Sequence, residues 1–414
     1  MDNITHSLFG AAVAETTWAH LPETTKARLA PGTRTALVLA SILGNNLPDL
    51  DFIYSPWMHA NPQLGNLLHH RGHTHTMTIA FFQSLLLLGM CVLWRKLRRK
   101  TDFKQEWRWV SLMAFLGPLT HMLLDWLNNY GVHPFWPLDN SWRYGDWIFV
   151  LEPWAWVTFS TCLFFQARSW KGRCFAGAIP LLGLSLSWGL GVVPPLMSGV
   201  LTVWGLILAG VYWKLAERAR WRAAWTAIAL MLLIFQWGSY QTEAILKTQN
   251  GAPEFQTEDT ILSPLPVNPL CWAVITVDSN ATHYRLKRAV VAPFPQWVSL
   301  RTCTHLRFFS AEVADAPLDT GIVWEKEHVV ALAELTQLAQ QFCDVRDFLR
   351  FSRAPYFWRE ADQLYFSDLR FERSKRRSFA RIAISSQSPP CPDARAPWTP
   401  PLQALRRVPS DSFE

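Results

Sequence analysis

The chain has 414 residues, half of them hydrophobic and only 17% charged, against roughly 25% charged in a typical soluble domain. The formal charge of +7 does not imply a nucleic-acid partner, because the lysines and arginines cluster beside apolar runs, where membrane topology accounts for them. The 23 tryptophans and 25 phenylalanines suit a protein at a bilayer interface, where one end of a ring is apolar and the other wet.

In chain order, residues 4–18 and 35–54 are apolar and helix-compatible. They are expected as two N-terminal helices that either span the bilayer or dip into it. The first 18 residues lack a basic start and carry His6 and Glu15, so no cleavable signal peptide is expected and the spans themselves must direct insertion. Residues 77–94 hold no charge over 18 positions, which at 1.5 Å per residue is about 27 Å, close to the ~30 Å hydrocarbon core. Spans are also expected at 109–127, 147–167, 175–193, 196–213 and 223–240, six in all. Basic clusters at 95–100, 168–173 and 214–222, together with Lys26, Arg28 and Arg34, agree with one topology. Those loops are cytoplasmic and both chain ends lie outside.

After residue 240 the texture changes. Residues 250–414 are polar and Pro-rich, with short apolar stretches at 271–277, 290–291, 297–300 and 363–366 that read as strands. Residues 328–350 have helical spacing. The expected architecture is an all-α polytopic membrane domain over 1–240 followed by a small α+β extramembrane domain over 250–384. Residues 385–414 are expected to be a disordered tail. Cys91, Cys162 and Cys174 lie in or beside spans and read as packing residues. Cys271, Cys303, Cys343 and Cys391 lie in the outer domain, where disulfides are permitted but cannot be paired from sequence.

The polar residues near the spans are not scattered. His6 lies in the first helix. Asn45, Asn46, Asp49 and Asp51 lie in LGNNLPDLDF, and His69, His70, Arg71, His73 and His75 in HHRGHTH. His121 and Asp125 form HMLLD, and Asp146 and Glu152 follow. The topology brings these groups to one membrane face. Imidazoles and carboxylates together suit Zn²⁺, Mn²⁺ or Fe²⁺. His121 and Asp125 are spaced i, i+4 and share a helix face. Asp49 and Asp51 can face one site only in a non-helical stretch, which Pro48 favours. Ionisable groups this near hydrocarbon are costly unless paired or bound. The competing readings are plain: HxxxD pairs are often buried hydrogen-bonded pairs, Asp49 and Asp51 can cap helices, and Asp146 and Glu152 suit helix starts.

These blocks resemble the YdjM-type family of membrane-bound, metal-dependent hydrolases, the LexA-regulated inner-membrane proteins of enteric bacteria. The resemblance covers roughly residues 1–240 and rests on THSLFGAAVAE, NNLPDLD, HHRGHTHT and HMLLDWLNNYG, in that order. FLRFSRAPYF and FSDLRF resemble the outer domain of longer members. The resemblance implies His6, Asp49, Asp51, His70, His75, His121 and Asp125 as the polar signature, and a bacterial inner-membrane location. Its His and HxxxD pattern is similar to that of zinc-dependent phospholipases C, which implies phosphoester or lipid substrates. The expected protein is therefore a membrane-bound metal-dependent hydrolase at the outer face, with zinc the first expectation and manganese or iron the alternatives. His6, Asp49, His70, His75, His121 and Asp125 are the expected ligands, Asp51 a further ligand or base, and Arg71 the partner of an anionic substrate group. A transporter or metal/proton conduit built on the same cluster is the alternative, and a helix-stapling structural site a third reading.

Overall fold

The computed structural model describes residues 1–97, 106–249, 254–304, 321–372, 378–384 and 396–406. The first half is helical. Helix α1 (Asn3–His20) starts at Asp2, whose carboxylate accepts from Thr5 N at 2.9 Å. A short helix α2 (Glu23–Lys26) leads to α3 (Thr33–Asn46). Beyond α3 the chain tightens into 3₁₀ turns at Pro48–Ile53 and Ser55–Met58, since Pro48 has no N–H to continue the α-ladder. Helix α4 (Pro62–His69), capped by Asn61, and the 3₁₀ turn His73–His75 complete this excursion. Then follow α5 (Met77–Leu97), α6 (Trp107–Trp126), α7 (Pro153–Gln166), α8 (Trp170–Gly189), α9 (Pro195–Lys214) and α10 (Glu217–Gln249).

Two glycines set the key helix crossing. A Cβ on Gly117 of α6 would lie 2.6 Å from Gly44 Cα of α3, so only glycine permits this backbone approach, in the way small residues do between membrane helices.

Among the described residues, three helices are long and apolar enough to cross a membrane: α5, α9 and α10. Their outer faces bare Phe82, Leu86, Leu206 and Trp213, as a lipid-facing surface would. The expected count of six does not emerge from length and apolarity. The span expected at 147–167 is instead the 14-residue α7, about 21 Å long against the ~30 Å core. Its first residues are drawn into a loop, where Trp147 N and Ile148 N donate to Leu127 O.

The second half is a sheet-containing region. Strands β1 (Gln256–Leu265), β2 (Asn268–Ser279), β3 (His283–Val291) and β4 (Ile322–Ala331) form an antiparallel sheet in that order. β5 (Pro355–Glu360), β6 (Gln363–Asp368) and β7 (Ile382–Ile384) form a second. The stretch at 297–300 is not a strand but a turn entering the helix Leu300–Thr304, and the helical pattern expected from 328 begins only at Leu332, after β4. Cys271 and Cys303 form a disulfide, and Cys343 is disulfide-bonded too.

This region is packed onto the helical half. Leu64, Leu67, Leu68, Tyr130 and Trp142 share one core with Val277, Leu286, Phe348 and Phe366. Buried polar bonds cross the junction. Arg353 Nη1 donates to both oxygens of Asp146 (2.9 and 2.7 Å), and Arg370 Nη1 donates to Asn129 O at 2.7 Å. Disorder of the tail does not hold for residues 396–406. Trp398 is fully buried and donates Nε1 to Leu68 O at 2.6 Å. One tryptophan and two leucines anchor a segment whose prolines dominate its composition. Residues 385–395 and 407–414 lie outside the described residues.

Candidate metal centre

The site forms where the excursion between α3 and α5 folds back on the end of α6. Asp49 and Asp51 sit in one 3₁₀ turn, the non-helical geometry that lets two carboxylates separated by Leu50 both turn inward. His75 comes from the next 3₁₀ turn, and His121 and Asp125 from one face of α6. One ligand atom each from Asp49, His75, His121 and Asp125 lies within 4.8 Å of the others, and all four residues are buried. A second group, Asp49, Asp51 and His70, shares Asp49 with the first.

The hydrogen bonds orient the ligand atoms. His121 Nδ1 lies 2.6 Å from Asn45 O. A carbonyl only accepts, so Nδ1 carries the proton and Nε2 of the neutral ring presents a lone pair. His75 Nδ1 faces Thr74 Oγ1 at 3.0 Å and Asp51 Oδ2 at 3.4 Å, which turns its Nε2 inward as well. The two Nε2 atoms are 2.9 Å apart. Two lone pairs cannot face each other at that distance without a cation between them: either a proton on His75 or a metal ion.

The carboxylates complete the argument. Asp49 Oδ1 is buried without a hydrogen-bond donor, Asp125 Oδ2 is ion-paired with Arg71 Nε at 3.0 Å, and both stand 3.2–3.5 Å from the imidazole Nε2 atoms. Burial opposes protonation of His75, but the adjoining carboxylates of Asp49 and Asp51 outweigh it and raise its pKa above the ordinary value. Burial would likewise raise Asp49, yet His121 and His75 beside it hold its carboxyl well below the usual range. Two nitrogens and two carboxylate oxygens converging in this way fit a divalent transition metal.

Residues 1–193 match the family model described as YdjM inner membrane protein. No curated protein and no solved structure matches the chain. The YdjM match takes in every residue of the site and ends just before α9.

The other expected residues take distinct places. His6 stacks on His121 at 3.8 Å and puts Nε2 3.2 Å from Asp125 Oδ1, beside the four-residue group rather than in it. His70 places Nδ1 2.8 Å from Asp51 Oδ1, and its side chain is 25% exposed, the one open edge of the cluster. Asp51 also accepts from Arg71 N (2.9 Å) and Thr74 Oγ1 (2.6 Å). Burial opposes its ionisation, but His70 and His75 win and depress its pKa.

Arg71 is buried within the cluster. Its guanidinium is buried over the Tyr130 ring, with Nε 3.0 Å from Asp125 Oδ2 and Nη1 donating to Asn128 Oδ1. The amino group of Met1 also contacts Asp125. His73 packs against Trp136 and Trp398, away from the cluster. His69 lies outside both groups, its pKa lowered to about 4 by burial and neighbouring His73. Asp146 is spent on Arg353, and Glu152 occupies the N-cap position of α7 with its carboxyl buried and no side-chain cap hydrogen bond.

Sequence reasoning missed the orienting shell: the Asn45 carbonyl, Thr74 and Asn128. His133, in the loop after α6, stacks on Trp398 at 3.7 Å, and burial pushes its pKa down to about 3. Thr74 lies inside HHRGHTH and Asn45 inside LGNNLPDLDF, so their motifs marked them. A backbone carbonyl leaves no signature in residue type.

Proposed function

We propose that this chain is a membrane-bound, metal-dependent hydrolase acting on a phosphoester or lipid-linked substrate. The observation that carries the proposal is the 2.9 Å approach of His75 Nε2 and His121 Nε2, flanked by the buried carboxylate oxygens of Asp49 and Asp125. Asp49, His75, His121 and Asp125 would hold one ion, zinc first and manganese or iron next. Asp49, Asp51 and His70 would hold a second, Asp49 being common to both groups. Such ions polarise a phosphoryl oxygen and lower the pKa of bound water to about 7.

The chain's own groups divide the remaining work. Asp51 orients His70 and His75, as carboxylates do behind ligating histidines. In hydrolysis, water forms a new P–O bond and the P–O bond to the alcohol breaks. The proton lost by water ends on the departing alkoxide. Arg71 offsets the negative charge of Asp125 from within.

The outward-facing topology is part of the proposal. Four basic loops agree on it, and the disulfide Cys271–Cys303 fits a domain outside the reducing cytoplasm. Helices α6, α7 and α8, together with α5, α9 and α10, would then make up the six crossings.

The test is turnover by the purified full chain in lipid nanodiscs, against a panel of phosphodiesters and phospholipids. The expected result is hydrolysis that chelator stops and added zinc or manganese restores, and that His70→Ala abolishes. A second reading has its own support, because all four residues of the inner group are buried and leave no open position, as in structural sites. Bound metal without turnover on any substrate would favour that helix-stapling role, and metal flux into proteoliposomes would favour the conduit.

A further inference from the structure

The turn that aims Asp49 and Asp51 inward has an outer side. Leu50, Phe52, Ile53, Tyr54, Trp57 and Met58 are all exposed, Trp57 by 80%. The one charged side chain in residues 50–58 is Asp51, which is buried. A segment of nine residues thus shows six large apolar or aromatic groups and no exposed charge, a patch that water alone does not favour.

This surface continues into a face already read as lipid-exposed. Upstream, α3 exposes Leu39 and Leu43. Downstream, α5 exposes Met77, Phe81 and Phe82 and is one of the helices able to cross a membrane. The turn at 134–138 is tied to the start of α5, with Met77 N donating to Pro134 O at 2.9 Å. That turn exposes Leu138 by 95%. Trp and Tyr among aliphatic residues are the side chains that settle at headgroup level. Tyr54 lies against Asp51 and Thr74, next to the half-open His70, so this surface borders the mouth of the metal centre.

We propose that residues 50–58 are immersed in the headgroup boundary of the leaflet on the site's side, forming a lipid-seated collar around the mouth. Ligands then reach His70 and Asp49 from the headgroup layer, which favours an amphiphile with its chains in the bilayer. The ligand half rests on the functional reading above; the immersion does not.

The experiment is spin-label accessibility in proteoliposomes of the full chain, with the free cysteines Cys91, Cys162 and Cys174 replaced by serine. Single labels are placed by Ile53→Cys and Trp57→Cys. Phe82→Cys serves as the lipid control and the exposed Gln340→Cys as the aqueous control. The oxygen-to-nickel-chelate accessibility ratio at 53 and 57 should fall between those at 82 and 340 and exceed that at 340 severalfold. Ratios like that at 340 would overturn the collar, as would labels shielded from both reagents, which would mean a protein partner covers the segment. Should Trp57→Cys fail to fold, Ile53→Cys carries the test alone. Metal content of the same samples is read separately, so loss of the metal reading is distinguishable from loss of the collar.

Discussion

At the scale of the residue, the centre is held together by opposed demands on protons. In metal-free protein His75 keeps a proton between Asp51 and His121. Its raised folded pKa makes that contribution to stability fully present below the ordinary value near 6.5 and lost as pH rises through the folded value. Metal must displace the proton, so metal affinity should rise between about pH 5 and pH 8. We therefore predict that the melting-temperature gap between metal-loaded and chelator-treated protein widens with pH; a constant gap would argue against a proton–metal exchange at His75. Asp51→Asn should weaken metal binding about 10–100-fold without removing a ligand of the inner group, because it unseats the Nδ1 partner of both His70 and His75. Competition with a chelating dye measures this, and unchanged affinity would deny Asp51 its orienting role. The ligand types were legible because His and Asp recur in four ordered blocks. The positions of His6 and Arg71 were not, because stacking on His121 and pairing with Asp125 depend on helices far apart in sequence.

Elements carry the precision of the site. The 2.6 Å contact between His121 Nδ1 and Asn45 O exists because α3 and α6 cross at Gly44 and Gly117. Gly117→Val should push the helices apart, destabilise the fold and lower metal occupancy together, read by thermal unfolding and metal analysis of one preparation. A stable variant with full metal would mean the crossing does not set the site. Helix positions were largely readable from apolar runs. Helix lengths were not: α7 starts late because residues 127–152 are recruited as a loop by the outer domain, a demand that hydropathy does not register. The 3₁₀ turn at Asp49 followed from Pro48, whose missing N–H withholds one bond from the α-ladder at the end of α3.

For the whole molecule, the C-terminal region is a fixed roof over the loops that carry the centre. Arg353 spans the junction, bonded to Asp146 on one side and Asp259 on the other. Arg353→Ala leaves buried Asp146 without its cation and should cost about 3–5 kcal/mol, as other broken buried ion pairs do. Denaturant unfolding in detergent would measure it, and a loss under about 1 kcal/mol, the worth of a surface pair, would mean the junction is loose. The α+β character was visible in the change of texture after residue 240. The docking was not, since Trp398 in a Pro-rich tail signals nothing about its partner Leu68, 330 residues away. The central claim is that Asp49, His75, His121 and Asp125 hold a metal ion. Elemental analysis of the purified full chain tests it most directly. The account predicts at least one equivalent of zinc, manganese or iron per chain, and its loss in His75→Ala and His121→Ala variants that still elute as folded protein. Metal-free native protein that binds none of these ions when they are added, or variants that retain it, would contradict it.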